Sequence, residues 1–245
     1  MTAAKTNSLQ ASQNRLLAAL DAEDLQLVAP RLTPITLDKG ALLYEPGDLI
    51  DMVYFPDDCV ISLLTLMETG AAIESAAIGR EGALGLMSAV SPRQSLSRAI
   101  VQVPGRARRI ASPHLHRAWE QSALIRDLVD RHNEALFAHA IQSVACNALH
   151  SVEARFCRWL LSCRDRIDSN TVALTQEFLA DMLGVQRTTV TVVARTLQGA
   201  GLIRYRRGIV DILDRAGLEA IACECYGAVR DNYERLLPTP FSDRN

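Results

Sequence analysis

The sequence lacks several features that would place it in common protein classes. It has no run of about 18 apolar residues, so it predicts no transmembrane helix and no membrane partner. The first 15 residues contain no apolar signal core, which predicts that the chain stays in the cytoplasm. Nucleophile-elbow, P-loop and paired zinc motifs are also missing, and we therefore predict no catalytic residues and no enzymatic activity.

Histidines and cysteines do not occur in the patterns that bound metals require. No histidine precedes His114, which argues against a cupin-type metal site in the first half. No four of the six cysteines have ferredoxin-like or zinc-like spacing, so we predict no metal site and expect the cysteines to be small apolar side chains. Among the cysteines, Cys223 and Cys225 are the pair in which we would look for redox behaviour. The histidines are expected at the surface or at an interface: His114, His116, His132, His139 and His150.

Residues 35–110 alternate short apolar runs with turn residues. Gly40, Pro46-Gly47-Asp48 and Gly70 are among the turn signals, which come at intervals of about ten residues. This pattern predicts an antiparallel β-roll of the barrel or jelly-roll kind. Short helices are expected before it, within residues 8–29.

From Pro113 to His150 there is no further proline and no glycine, which favours one long helix with a shorter one before it. A helix of this length in a small protein needs a partner to bury its apolar stripe, and we therefore predict a homodimer. Packing of the stripe on the chain's own β-roll is the alternative. The stripe recurs at steps of three and four: Ile125, Leu128, Val129, Leu136, Phe137, Ala140, Ile141 and Val144.

Residues 174–213 carry the most informative pattern. Thr175 is suited to cap a helix that ends at Gly184, and a second helix follows with apolar residues at helical spacing. The other face of this second helix has uncharged or cationic side chains and no acid. An arginine-rich hairpin with Gly208 at its turn comes next. This order predicts a winged helix-turn-helix whose second helix enters the major groove of DNA, with an ordinary helical hairpin as the alternative.

Charge is divided between the two halves of the chain. Residues 151–215 hold ten arginines and seven acidic residues, a balance of +3, whereas residues 1–150 have a balance of −3. The whole chain carries a net charge of −2. The positive potential is therefore local, as expected for a protein that recognises one DNA site rather than coating nucleic acid.

The stretch LTQEFLADMLGVQRTTVTVVARTLQGAGLI resembles the DNA-binding segment of the Crp/Fnr family of bacterial transcription regulators, in spacing more than in identity. VEARFCRWLLSCRDRI resembles the helix that precedes this segment, and KGALLYEPGD and YFPDDCVISLLTL resemble the opening hairpins of a cyclic-nucleotide-binding β-roll. The resemblance implies an α+β fold with an N-terminal antiparallel β-roll (jelly roll) sensor, a long dimerisation helix and a C-terminal winged helix-turn-helix. The corresponding ranges are residues 1–112, 113–150 and 151–237, followed by a tail, 238–245, that is expected to be disordered.

The resemblance implies a sequence-specific DNA-binding transcription regulator whose partners are a double-stranded operator, a second copy of the chain and RNA polymerase. Arg187 is expected to contact a guanine. Thr188 and Val192 stand where the family often has Glu and Arg, which argues against the family's usual operator. Base contacts are expected from Gln186, Arg187, Thr188 and Thr191. Phosphate contacts are expected from Thr175, Thr189, Arg195, Arg204, Arg206 and Arg207.

Family members that bind cyclic nucleotides hold the ribose with a Glu and the phosphate with an Arg on a later strand. The corresponding effector pocket consists of Glu81, Gly82, Ser97 and Arg98. Arg98 comes one residue late, and a slip of one residue turns a strand side chain to the opposite face. This argues against cAMP but leaves another nucleotide-like effector open, and the sequence identifies no cofactor. A ligand-binding, redox or haem signalling module on the same scaffold is the alternative function.

Overall fold

Two antiparallel sheets form the first half of the chain in the computed structural model, which describes residues 12–237. The first sheet has the strand order β1-β7-β3: Thr33–Leu37, Gly105–Ala111 and Met52–Pro56. The second sheet has the order β2-β6-β4-β5: Leu42–Tyr44, Arg98–Val103, Val60–Leu66 and Ala72–Ile78. The strand pairs are antiparallel, which confirms the predicted β-roll.

Side chains of the first sheet alternate between the interior of the roll and the helices outside it. On β3, Tyr54 packs inside the roll with Ile61 and Val101. Its neighbours Val53 and Phe55 belong instead to a core shared with the flanking helices. This alternation follows from the two-residue period of a strand, and it explains why the four successive residues 53–56 of β3 are all buried.

Two short helices, α1 (Arg15–Ala18) and α2 (Ala22–Val28), cover the outside of the roll. The side chains of Asn14 and Asp21 accept hydrogen bonds from backbone N–H groups in the first turns and so cap the two helices. These helices lie within the predicted range 8–29. Its first four residues, and the predicted tail 238–245, lie outside the described residues.

The long helix α4 spans Ala123–Leu149 and follows the shorter helix α3, Ser112–Gln121, which confirms the predicted pair. Ser122 separates them, and its hydroxyl accepts a hydrogen bond from Ile125 N at 2.9 Å. Within residues 12–237, neither α4 nor any other helix has the length and apolar character needed to cross a membrane.

The apolar stripe of α4 divides into two parts. Near the start of the helix, Ile125 and Val129 are buried in the core that lies between the helices and the roll. Further along, Phe137, Ile141 and Val144 are 68%, 55% and 72% exposed. These three residues share one face because they are four and three positions apart. One part of the helix therefore packs on its own chain, and the other presents an apolar face.

Two histidines of α4 lie in the interior of the chain. His132 and His139 are 1% and 3% exposed, so the expectation of surface or interface histidines is wrong for both. Their helix positions face the chain's own core rather than solvent. Burial lowers the pKa of His132 to about 4, which keeps its ring neutral near pH 7. Its Nε2 accepts a hydrogen bond from Ala83 N at 3.2 Å.

The second half of the chain combines helices with a small sheet. Its helices are α5 (Val152–Ile167), α6 (Gln176–Leu183), α7 (Arg187–Gly199), α8 (Arg215–Ile221) and α9 (Cys225–Leu236). Its sheet has the order β8-β10-β9: Thr171–Ala173, Ile209–Ile212 and Ile203–Arg206. The β9–β10 hairpin is predicted by the sequence. Strand β8 is not, because three residues are too few to show a strand period. We call α5 to α8 with this sheet the C-terminal unit.

Helix α9 leaves the C-terminal unit and packs against α4. Val229, Tyr233 and Leu236 join the core that also contains Phe55 and the start of α4. The ring of Tyr233 meets that of His139 edge to face, with 6.0 Å between the ring centroids. The predicted range 151–237 groups α9 with the DNA-binding helices, and α9 does contact them as well as α4: the Tyr226 hydroxyl donates to Asp165 on α5 and accepts from Arg215 on α8.

A buried ion pair joins the C-terminal unit to the β-roll. Arg166 Nε on α5 donates to Glu81 Oε1 at 2.7 Å, and the two side chains are 5% and 0% exposed. Arg166 Nη2 also donates to Ala77 O at 3.3 Å. A glycine at position 79 leaves room for the arginine, since a Cβ there would lie 2.6 Å from Arg166 Cδ. The pair fixes the last turn of α5 against the end of β5.

Replacement of Arg166 by Met should destabilise the chain strongly, because it leaves the Glu81 carboxylate buried without its cation. We expect a loss of about 3–5 kcal/mol in the free energy of unfolding. Urea denaturation followed by circular dichroism measures this loss. The double change Glu81→Gln with Arg166→Met should recover part of it. Arg131→Met, which breaks an exposed pair with Asp127, should cost no more than about 1 kcal/mol. Equal costs for the two single changes would contradict the assigned role of Arg166.

Candidate nucleic-acid interface

Helices α6 and α7 meet at a tight turn. Thr175 Oγ1 accepts a hydrogen bond from Phe178 N at 3.3 Å and caps α6, as predicted. Gly184 ends α6 with a φ of 61°, a left-handed conformation that favours glycine. The turn directs one face of α7 into the core of the C-terminal unit. That face consists of Val190, Ala194 and Leu197.

The opposite side of α7 points outward. We call this side the recognition face: Gln186, Arg187, Thr188, Thr191 and Arg195. All of these residues except Thr191 are exposed. Thr191 is half-buried, and its hydroxyl lies 3.0 Å from Arg187 O and from Gln176 Oε1. Thr189, also half-buried, lies beside this face. The predicted contact residues therefore come together, although the Thr191 hydroxyl already has partners within the chain.

Strands β9 and β10 form the wing, Ile203–Ile212. Arg207 and Gly208 occupy its turn with φ of 47° and 79°, the two positive angles of a type I′ turn. Tyr205 connects the wing to its surroundings. Its N donates to Gln198 Oε1 at 2.8 Å, and its hydroxyl donates to Leu174 O at 3.2 Å. The predicted tight hairpin at Gly208 is confirmed, and its position relative to α7 is fixed by these bonds.

The wing arginines point to solvent, as a phosphate contact requires. Arg204, Arg206 and Arg207 are all exposed. Arg206 Nη2 lies 3.3 Å from Asp211 Oδ2, and the arginine side chain is 67% exposed. Exposed pairs of this kind contribute little stability, so a phosphate can replace the carboxylate at small cost.

A groove of 390 Å³ lies between the start of α7 and the wing. Arg187 from α7, Arg207 from the wing and Thr175 from the start of α6 all line it. Glu177 also lines it, and its Oε1 lies 4.0 Å from Arg187 Nη1 with both side chains largely exposed. Two cations from different elements thus face one concave surface, which suits the ridge of a nucleic-acid backbone.

The family model described as the Crp-like helix-turn-helix domain matches residues 154–221. This range contains most of α5, both helices of the turn, the wing and α8. Residues 154–221 are a Crp-like helix-turn-helix domain. The chain therefore carries a DNA-binding domain of the Crp-like helix-turn-helix kind.

Three solved structures share the fold over 77% to 79% of this chain. FixK2 from Bradyrhizobium japonicum is 17% identical, with a TM-score of 0.67 over 78% of this chain and 98% of that chain. A CRP-family transcriptional regulator from Thermus thermophilus is 19% identical, with a TM-score of 0.64 over 77% and 96%. The c-di-GMP responsive global regulator CLP from Xanthomonas campestris is 15% identical, with a TM-score of 0.61 over 79% and 100%. No curated protein matches the chain. At these identities the likeness is one of fold.

The effector residues expected from the resemblance are not brought together. Glu81 is fully buried in its pair with Arg166. Arg98 binds both carboxylate oxygens of Glu45, at 2.7 to 3.1 Å. Gly82 lies against His132 instead of a ligand space, since a Cβ there would be 2.5 Å from the ring Nε2. The effector pocket therefore stays a prediction, in which Glu81 and Arg98 already have ion-pair partners within the chain.

Ser97, the fourth predicted residue, lines a cavity of 440 Å³ between the β-roll and α4. Most of its lining side chains are apolar, and Arg93 and Ser95 add polar groups. Helix α4 contributes His132, Asn133 and Leu136. The sequence pattern could not find this cavity, because it depends on how the long helix crosses the roll.

A second group of side chains lies away from the recognition face, at the end of α4. We call it the thiol–imidazole cluster: Cys146, His150, Cys223 and Cys225. Its three sulfur atoms and one ring nitrogen all lie within 4.8 Å of one another. Cys146 and Cys223 are 77 positions apart, so sequence spacing does not reveal the group. The available signal was the four-residue step from Cys146 to His150, which places two ligand types on one helix face.

Proposed function

We propose that the chain recognises a specific operator by inserting α7 into the major groove. The observation that carries this proposal is the exposed cationic recognition face beside a groove lined by Arg187 and Arg207. We assign Arg187 to a guanine, whose O6 and N7 accept the two donors of its fork. Gln186, Thr188 and Thr191 of the recognition face add base contacts. Arg195 and the wing arginines, with Thr175 and Thr189, hold phosphates and so position the helix.

Arg187→Ala should cost about 1–3 kcal/mol of binding free energy on the operator and relax specificity at one base pair. Arg206→Ala should weaken binding to all sequences alike and flatten its salt dependence. Fluorescence anisotropy over a salt series measures both effects, on an operator selected from a random duplex library.

Arg117→Ala provides the control for the lost charge. This arginine is exposed on α3, away from the C-terminal unit, and its removal should leave DNA affinity unchanged. An equal loss from Arg187→Ala on the operator and on unrelated duplexes would rule out a base contact. Failure of the wild-type chain to select any duplex would overturn the proposal as a whole.

We also propose that two chains dimerise through the second half of α4. Phe137, Ile141 and Val144 form a face that the single chain leaves exposed. Pairing this face with its copy removes apolar surface from water, which is the main driving force for association. Two-fold symmetry would then place two α7 helices about 34 Å apart, one turn of DNA.

Glu in place of Ile141 should prevent the dimer, because it would bury two like charges at the helix pair. Light scattering after gel filtration should then report one chain of 26.9 kDa where the wild type reports two. Met67→Glu introduces the same charge at an exposed apolar residue near the β4–β5 turn and should leave the mass unchanged. A wild-type chain that runs as a monomer at micromolar concentration would contradict the proposal.

We propose that a small effector acts through the 440 Å³ cavity between the roll and α4. A ligand there would contact both elements, so its binding can shift the population of α4 positions and hence of the DNA-binding helices. The apolar lining favours a ligand with an apolar body, and Arg93 favours an anionic or accepting group on it.

As a transcription regulator, the chain is expected to work with RNA polymerase in the cytoplasm.

Anilinonaphthalene sulfonate, an apolar body with one anionic group, is a suitable probe of this cavity. Its fluorescence should rise in a saturable way with the wild-type chain and fall at least several-fold with Leu136→Trp, which fills the cavity. Met67→Trp, which adds the same ring at an exposed residue near the β4–β5 turn, should keep the signal. cAMP should give no saturable heat in calorimetry, because Glu81 and Arg98 are both engaged in ion pairs. Tight cAMP binding, or equal probe signals from wild type and Leu136→Trp, would contradict this use of the cavity.

A further inference from the structure

The thiol–imidazole cluster has the dimensions of a four-coordinate metal site. Cys146 Sγ lies 3.5 Å from Cys223 Sγ, and Cys225 Sγ lies 3.5 Å from His150 Nδ1. Tetrahedral zinc spaces two sulfur ligands by about 3.8 Å and a sulfur and a nitrogen ligand by about 3.6 Å, given the bond lengths in such sites. All four atoms lie within 4.8 Å of one another, which leaves room for one ion. An iron–sulfur cluster with several irons holds its ligands further apart.

We propose that the thiol–imidazole cluster binds one Zn²⁺ ion as a closed structural site. Three thiolates and one imidazole form a ligand set that structural zinc sites use, and four protein ligands leave no position open for water or substrate. Sulfur ligands also favour zinc over magnesium or calcium. The three cysteines are at most 6% exposed, so the ion would be shielded from solvent.

The imidazole is oriented as a metal ligand requires. His150 Nδ1 faces Cys225 Sγ, and its Nε2 lies 3.2 Å from the carboxylate of Glu224. Metal-binding histidines commonly donate their second ring N–H to a carboxylate, which fixes the tautomer and strengthens the ligand. Gln142 Nε2 donates to Cys225 Sγ at 3.0 Å and so supports a thiolate at that position.

Two buried arginines provide the balancing charge. Three thiolates around one Zn²⁺ carry one net negative charge. Arg155 and Arg158 are only 6% and 8% exposed, and both interact electrostatically with Cys146. Among the residues that the structure describes, the Nε atoms of both arginines have no hydrogen-bond acceptor. Buried cations need nearby negative charge, and a zinc–thiolate centre supplies it.

The site would join segments that are distant in the sequence. Cys146 and His150 lie at the end of α4, whereas Cys223 and Cys225 lie between α8 and the start of α9. Helix α5 begins two residues after His150 and leads into the DNA-binding helices. The ion would therefore fix the chain where it passes from the proposed dimer helix to the C-terminal unit.

Metal analysis of the full chain tests this site directly. We expect one zinc per chain by mass spectrometry after gel filtration in zinc-free reducing buffer. Zn²⁺ returned to chelator-stripped protein should raise the midpoint of thermal unfolding, because a ligand that binds only the folded state stabilises it. Co²⁺ in its place should give the sulfur-to-metal charge-transfer bands and the intense visible bands of a tetrahedral thiolate site.

Matched variants locate the ion. Cys225→Ala should lose the zinc and the cobalt bands, whereas Cys59→Ala, which removes a buried thiol in the roll, should keep one zinc per chain. Glu224→Ala keeps all four ligands and should weaken zinc affinity roughly 10–100-fold. Glu219→Ala removes another acid at an exposed pair with Arg215 and should leave zinc affinity unchanged.

Three outcomes would overturn the proposal. The first is a reduced wild-type chain that neither contains zinc nor takes it up. The second is a zinc content in Cys225→Ala equal to that of the wild type. The third is that the purified chain contains a disulfide between Cys146 and Cys223 and still binds no zinc after this disulfide is reduced. None of these measurements involves DNA, so a negative result would leave the operator proposal unaffected.

Discussion

The buried pair of Glu81 and Arg166 is the interaction on which the relation between the two halves depends. Removing both charges from water is costly, and the cost is offset only where their atoms meet with good hydrogen-bond geometry. Glu81 Oε1 accepts from Arg166 Nε at 2.7 Å and from Gly79 N at 3.1 Å, which meets this condition at one oxygen, whereas Glu81 Oε2 has no hydrogen-bond partner among the described residues. The pair therefore selects one placement of α5 on the roll. It also engages Glu81, the acid expected from the sequence at a ribose.

Helix α4 connects the other parts of the molecule. Its start is buried with the roll, its middle lines the 440 Å³ cavity and presents the apolar face, and its end carries half of the thiol–imidazole cluster. A rigid helix of 27 residues can carry a displacement over its whole length. The proposed effector, dimer and metal sites thus act on one element, which leads through α5 to the DNA-binding helices.

The orientation of α7 and the wing in the C-terminal unit depends on a small number of local turns. The cap at Thr175, the left-handed Gly184 and the paired positive φ angles of Arg207 and Gly208 each fix a turn. Once these turns are set, the core of the unit holds α7 by one face and leaves the cationic face outward. Solved structures at 15% to 19% identity share the fold over 77% to 79% of this chain, because turn chemistry and apolar spacing tolerate wide changes in residue identity.

The sequence by itself determined the elements and their order: a turn-rich β-roll, a helix without proline or glycine after its first turn, and a capped pair of helices with a basic hairpin. Periodicity and turn chemistry are local properties, so they can be recognised within a few residues. The contact residues of α7 and the wing follow from the same local rules.

Only the tertiary structure decided which distant side chains meet. It placed Glu81 against Arg166, turned Arg98 to Glu45, buried His132, and brought Cys223 and Cys225 to Cys146 and His150. No local pattern encodes these contacts, because each depends on how whole elements pack across many tens of residues. The spacing of the cysteines therefore did not predict the thiol–imidazole cluster, which the packing of α9 on α4 assembles.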